Sequence, residues 1–130
     1  IYDREHAAFG KTPNRFGMIM TEAAYRGGEE WLNQLMYYLE KNKKIFTNAM
    51  KSLNKVKIFD LDSTYLAWVD FSQLNITEIE LKNMLIKEAG VAPSFGSGFG
   101  KNAGKFARFN IACRTEILDL AVNRLTKSFL

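Results

Sequence analysis

GKFARFNIACR, Gly104 to Arg114, decides how this chain is read. Ala107, Phe109, Ile111 and Cys113 are apolar and alternate with Phe106, Arg108, Asn110 and Ala112. Successive side chains of a strand point to opposite faces, so the segment predicts a half-buried strand. Arg108 and Asn110 then project together from its polar side. A guanidinium is a planar fork of donors that matches a carboxylate in two parallel hydrogen bonds. On a rigid strand it is suited to holding a ligand's carboxylate. The competing reading is an arginine on a solvated sheet face, paired with Asp70 or Asp62. Spacing alone leaves both open.

Directly upstream runs GSGFGKNAG, Gly96 to Gly104. Gly98-x-Gly100-x-x-Ala103 is a loose match to a dinucleotide fingerprint, but that motif opens a helix and here a strand follows. A phosphate-binding loop needs Gly-x4-Gly-Lys-Ser/Thr. Lys101 and Lys105 have Phe95 and Phe99 where its first glycine belongs. The segment is a mobile connection between strands or a loop that closes over a ligand.

Outward from there, TYLAWVDF (Thr64 to Phe71) is rich in strand formers and apolar on both faces except at Thr64 and Asp70, which predicts a central strand. Leu61-Asp62-Ser63 reads as a turn, and Val56 to Phe59 as a short strand before it. From Glu29, the spacing of Leu32, Leu35, Met36, Leu39, Phe46, Met50 and Leu53 marks an amphipathic helix. Gly27-Gly28 breaks or bends any helix continuing from Phe16 through Tyr25. Thr77 and Glu80 form a capping box. Leu81, Met84, Leu85 and Ala89 follow at helical spacing, with Gly90 as the left-handed terminator. Thr115 is the expected N-cap of a last helix facing inward through Ile117, Leu118, Ala121, Leu125 and Phe129. The order is helix, strand, strand, helix, glycine loop, strand, helix. It predicts an α+β sandwich, a small and mostly antiparallel sheet covered by helices. Trp31, Trp68, Tyr65 and the phenylalanines are expected in the core.

The chain has 130 residues, 47% hydrophobic content and a formal charge of +4. That suits a single domain with an ordinary core. The charge reads as a solvated helix face through Lys41, Lys43, Lys44, Lys51, Lys55 and Lys57, because no aromatic or glycine pattern accompanies it as in nucleic-acid modules. No run of about 18 apolar residues predicts a spanning helix, and no secretory leader is expected. The single histidine, His6, has no ligand set around it, so no metal site is expected. The single cysteine, Cys113, cannot form an internal disulfide and fits a reducing, cytoplasmic setting. It reads as a buried, inert thiol. The opening on Ile1, in a charged and patternless stretch, reads as a piece cut from a longer protein.

AGVAPSFGSGFGKNAGKFARFNIAC, Ala89 to Cys113, resembles the C-terminal signature of fold-type I pyridoxal-phosphate enzymes, the class I/II aminotransferase superfamily. The bacterial cystathionine β-lyase (C–S lyase) branch is the nearest in pattern. Three further segments resemble that branch: TPNRF (Thr12 to Phe16), AAYRGGEEWL (Ala23 to Leu32) and STYLAWVDF (Ser63 to Phe71). They are collinear from about Thr12 to Leu125. Departures are Ser63 in place of a glycine, Leu61-Asp62 in place of proline-glutamate, and Arg114-Thr115 in place of Pro-Arg.

The resemblance implies a fragment: residues 1–28 close the large domain's connecting segment, and residues 29–130 form the small C-terminal domain. In such enzymes the arginine of R-x-N-I-A holds the α-carboxylate of the amino-acid substrate. Position by position that is Arg108, with Asn110 and Tyr65 as weaker substrate-binding candidates. The implied cofactor is pyridoxal 5'-phosphate in the intact enzyme, acting as the electron sink for a C–S β-elimination. No lysine here has the family's Ser-Lys-x-x-x-x-x-G context, so the chain alone is expected to be inactive, to carry no catalytic residue and not to bind the cofactor covalently. Implied partners are a cystathionine- or cysteine-like amino acid, the missing N-terminal large domain and a second copy in a homodimer, with neither nucleic acid nor membrane. The alternatives are an aminotransferase of the same superfamily and a non-catalytic interaction or regulatory module.

Overall fold

A computed structural model describes residues 14–129. His6, and Thr12 and Pro13 of the TPNRF segment, lie outside the described residues. The chain divides into two compact units, one reaching Met36 and the other running from Tyr37.

In the first unit, helix α1 spans Arg15–Gly27. Asn14 caps it, its Oδ1 accepting from the Gly17 N–H at 2.7 Å. The helix stops where the glycine pair predicted. The Gly28 N–H donates to Ala24 O, and a Cβ on Gly28 would lie 2.5 Å from that oxygen. Helix α2 begins directly afterwards and spans Glu29–Ser52. Trp31, expected in the core, is 66% exposed; its helical spacing alone does not distinguish a buried stripe from an exposed one.

The second unit carries a four-stranded sheet of β1 (Lys57–Ile58), β2 (Leu66–Asp70), β3 (Ser94–Phe95) and β4 (Phe106–Asn110). Their order is β1-β2-β4-β3, and every pair is antiparallel. TYLAWVDF is central, as its composition predicts, but only one of its faces is sealed. Ala67 and Val69 are buried, whereas Trp68 is half-buried. The strand also starts two residues late. Thr64 sits at φ 64°, a left-handed conformation that ends extended pairing there. Tyr65, expected in the core, is therefore at the sheet's end and 43% exposed. The short β3 carries no alternation that the sequence could reveal.

Helix α3 spans Glu78–Asn83 with the predicted capping box: Thr77 Oγ1 accepts from the Glu80 N–H, and the Glu80 carboxylate accepts from the Thr77 N–H. A wide π turn, Met84–Glu88, continues it to Gly90, whose φ of 64° is the expected left-handed stop. Helix α4 spans Thr115–Phe129. Thr115 is not its cap. Arg114 O accepts the Leu118 N–H, and the Thr115 hydroxyl is engaged with Asn42 and Tyr38 instead.

The core lies on one face of this sheet. Ala67, Val69, Ala107 and Phe109 meet Phe46, Met50, Leu81, Leu85, Leu118 and Leu125, all buried. Phe109 packs on Phe46 at 5.2 Å between ring centroids, and Phe71 stacks on Phe129 at 5.4 Å. Full burial of each such leucine or phenylalanine contributes about 1.5–3 kcal/mol. Arg108 lies on the opposite face.

Candidate functional site

The alternation read in GKFARFNIACR is present. Along β4, Ala107 and Phe109 are buried, while Phe106 and Arg108 are half-buried and Asn110 is exposed. Across the ladder, Trp68 of β2 and Ser94 of β3 stand opposite Arg108, and Leu66 stands opposite Asn110. A rigid central strand thus fixes where the guanidinium starts.

Arg108 makes no ion pair among the described residues, so the pairing with Asp70 or Asp62 is absent. Asp70 accepts from the Ser72 N–H at 2.7 Å instead. The guanidinium carbon lies 4.7 Å from the centre of the Phe99 ring. Nη2 reaches the Ser94 hydroxyl at 3.4 Å, a long contact, and Nε is buried without a partner. Around it runs an aromatic row. Trp68 stacks on Phe106 at 5.7 Å and meets Phe99 edge-on at 5.5 Å, and Phe106 lies 6.5 Å from Phe59. Lys57, on the far edge strand, lies over Phe59.

Asn110 turns the chain out of β4: its Oδ1 accepts from the Ala112 N–H at 2.9 Å. Tyr65 lies at the same end of the sheet, its carbonyl accepting from the Ile111 N–H at 3.0 Å. Arg108 and Asn110 therefore lie on β4, and Tyr65 lies just before the start of β2.

The glycine loop is built rather than slack. Gly96–Gly98 form a 3-10 turn, and Phe99 N–H donates to Gly96 O at 2.8 Å. A Cβ on Gly96 would lie 2.0 Å from Ala103 O, so the two arms of the loop touch there. Glu78, at the start of α3, grips it from outside. Its carboxylate accepts from Lys82 and from the Ser97 hydroxyl, and it lies against Gly104. The Lys82 hydrogen bond first, then that from Ser97, holds the Glu78 carboxyl below its ordinary range.

Sequence reasoning missed Asn42, which is fully buried on α2. Its Nδ2 donates to Ile111 O and Cys113 O, both at 2.9 Å, and its Oδ1 accepts from Thr115 Oγ1 at 3.0 Å. It fastens the chain as it leaves β4. The available signal was spacing: 42, 46 and 50 share one helix stripe. Cys113 is only half-buried, and that burial pushes its thiol pKa up, away from nucleophilic use. Among the described residues there is no cluster of metal-ligating side chains, and no helix is long and apolar enough to cross a membrane.

No family model matches the chain. Among curated proteins it is 33% identical over 113 residues to the cystathionine β-lyase PatB of Bacillus subtilis, covering 86% of this chain. It is 35% identical over 109 residues to the cystathionine β-lyase of Corynebacterium glutamicum, covering 84% of this chain. It spans 29% of the length of each of those relatives. A pyridoxal-phosphate-bound C–S lyase from Staphylococcus hominis superposes with a TM-score of 0.77 at 27% identity, over 92% of this chain and 32% of that one.

The donors brought together by contact are the Arg108 guanidinium and the Ser94 hydroxyl. They suit a carboxylate. They include no amine to form an imine with the cofactor's aldehyde, so these residues do not by themselves fit pyridoxal phosphate. Fold, motif and relatives agree: this chain is the counterpart of the C-terminal part of the fold-type I pyridoxal-phosphate enzymes, in the branch of the cystathionine β-lyases and C–S lyases.

Proposed function

We propose that this chain supplies the substrate-carboxylate clamp of a pyridoxal-phosphate-dependent C–S β-lyase acting on a cystathionine- or cysteine-like amino acid. One observation carries the reading. Arg108 is a half-buried cation that makes no ion pair among the described residues. A buried cation is costly unless an anion meets it, and an α-carboxylate is an anion of matching shape. The cofactor of the intact enzyme would supply the electron sink for loss of the α-proton. Arg108 fixes the amino acid by its carboxylate. Asn110, on the polar face of β4, and Tyr65, just before β2, are the weaker candidates. In this reading residues 1–28 close the large domain's connecting segment and 29–130 form the small domain. The cofactor-bonding lysine and a homodimeric partner belong to a longer cytoplasmic enzyme, and the isolated chain is inactive.

The test is Arg108→Ala in the full-length enzyme. Losing one partner of a buried charge pair costs about 2–5 kcal/mol, so kcat/KM falls on the order of 10²-fold or more. Arg108→Lys keeps the charge without the fork and loses less. Decarboxylated amine analogues are spared most of the loss. Unchanged amino-acid turnover in Arg108→Ala overturns the assignment.

A further inference from the structure

On the reading of Arg108 as a carboxylate clamp, we propose that Phe99 is its positioning residue, holding the guanidinium by its face so that the Nη edge of the fork meets the ligand. The guanidinium carbon lies 4.7 Å from the ring centre, where the negative face of an aromatic ring attracts a cation. A carboxylate takes a guanidinium in its plane. The two contacts therefore use perpendicular directions and coexist. Nε is buried and withdrawn from any ligand, which leaves the two Nη groups as the edge on offer. The Nη2 contact to Ser94 is long, at 3.4 Å, and gives way readily to a charged acceptor.

Phe99 is itself held from two sides. Trp68, directly across the ladder from Arg108, meets its ring at 84° and 5.5 Å. Its own N–H is tied to Gly96 O at the neck of the loop. The loop is thus a bracket that presents one ring to one guanidinium. An arginine stem left free must be ordered when ligand arrives, at an entropic cost. Phe99 removes most of that cost beforehand.

The experiment titrates acetate against the ¹⁵N-labelled chain, following the Arg108 Nε–H and the Asn110 side-chain amide by NMR. Wild type is compared with Phe99→Leu, Phe99→Tyr and Arg108→Lys. Phe99→Leu raises the acetate dissociation constant about fivefold, equivalent to roughly 1 kcal/mol. It also speeds exchange of the Arg108 Nε–H with water about tenfold, while the β4 amides keep their wild-type pattern. Phe99→Tyr restores both. If Arg108→Lys binds acetate as wild type does, the clamp reading fails. If Arg108→Lys loses binding while Phe99→Leu matches wild type in affinity and exchange, the positioning role fails and the clamp stands.

Discussion

Asn42→Ala removes a side chain that bonds two backbone carbonyls and a hydroxyl at the exit of β4. Three hydrogen bonds disappear: two donated to Ile111 O and Cys113 O and one accepted from Thr115. At about 1 kcal/mol net for each, the loss is about 3 kcal/mol. A domain of this size holds about 5–15 kcal/mol in total, so the variant remains folded but loses much of its margin. With an m-value of about 2 kcal/mol/M, the urea midpoint falls by about 1.5 M at unchanged slope. Asn42→Asp discriminates further. An ionised carboxylate cannot donate to the two carbonyls, and burial at this site favours the protonated acid, raising its native-state pKa. The native state then holds a proton that the unfolded chain has released. Stability therefore declines as pH rises from about 4, the unfolded carboxylate value, through the higher native value. Equilibrium urea unfolding at pH 4 and pH 7 checks both. An Asn42→Ala midpoint within about 0.3 M of wild type, or an Asn42→Asp variant more stable at pH 7 than at pH 4, refutes the reasoning.

Gly96→Ala brings a Cβ to 2.0 Å from a backbone carbonyl and costs at least about 3 kcal/mol, whereas Gly98→Ala meets nothing within 4 Å and stays within about 0.5 kcal/mol in the same unfolding assay. Glu78 titrates below its ordinary range, so its hold on the glycine loop is complete above the unfolded carboxylate value and is lost as pH falls through the depressed native one. Protection factors of the Ser97–Gly104 amides, corrected for intrinsic exchange, fall on that acid side in wild type, and Glu78→Gln flattens the dependence.

Period-2 alternation in β4, the Thr77–Glu80 box and the Gly90 stop were all legible, because each is a local rule acting within a few residues; period-3.6 spacing located the helices, but Leu32, Met36 and Ile117 of the expected apolar faces are exposed. The donor side of Arg108 was legible for the same reason. What surrounds Arg108 was not. Phe99 reaches it from nine residues upstream through a loop, and no period connects them. Tyr65 and Trp31 looked like core because aromatic residues usually are, yet the left-handed Thr64 ends the sheet before Tyr65. Thr115 has the right chemistry for a cap and was diverted by a buried amide far away in sequence. Asn42 hid among charged neighbours although it sat on the apolar stripe.

The wide turn after α3 acts as a phase corrector. An α-helix advances about 100° per residue, so residues spaced by four drift about 40° around its axis at each step. Leu81, Leu85 and Ala89 are spaced by four and are all at most 1% exposed. The π turn closes on a residue one position further along and advances less per residue, which cancels the drift. Ala89 is buried as Leu81 and Leu85 are, and the Val91 N–H closes on Leu85 O at 2.8 Å. The chain leaves Gly90 in a direction set by that helical phase, four residues before Ser94 pairs opposite Arg108. The pitch of one helical turn thus sets the address of a hydroxyl on the far side of the sheet.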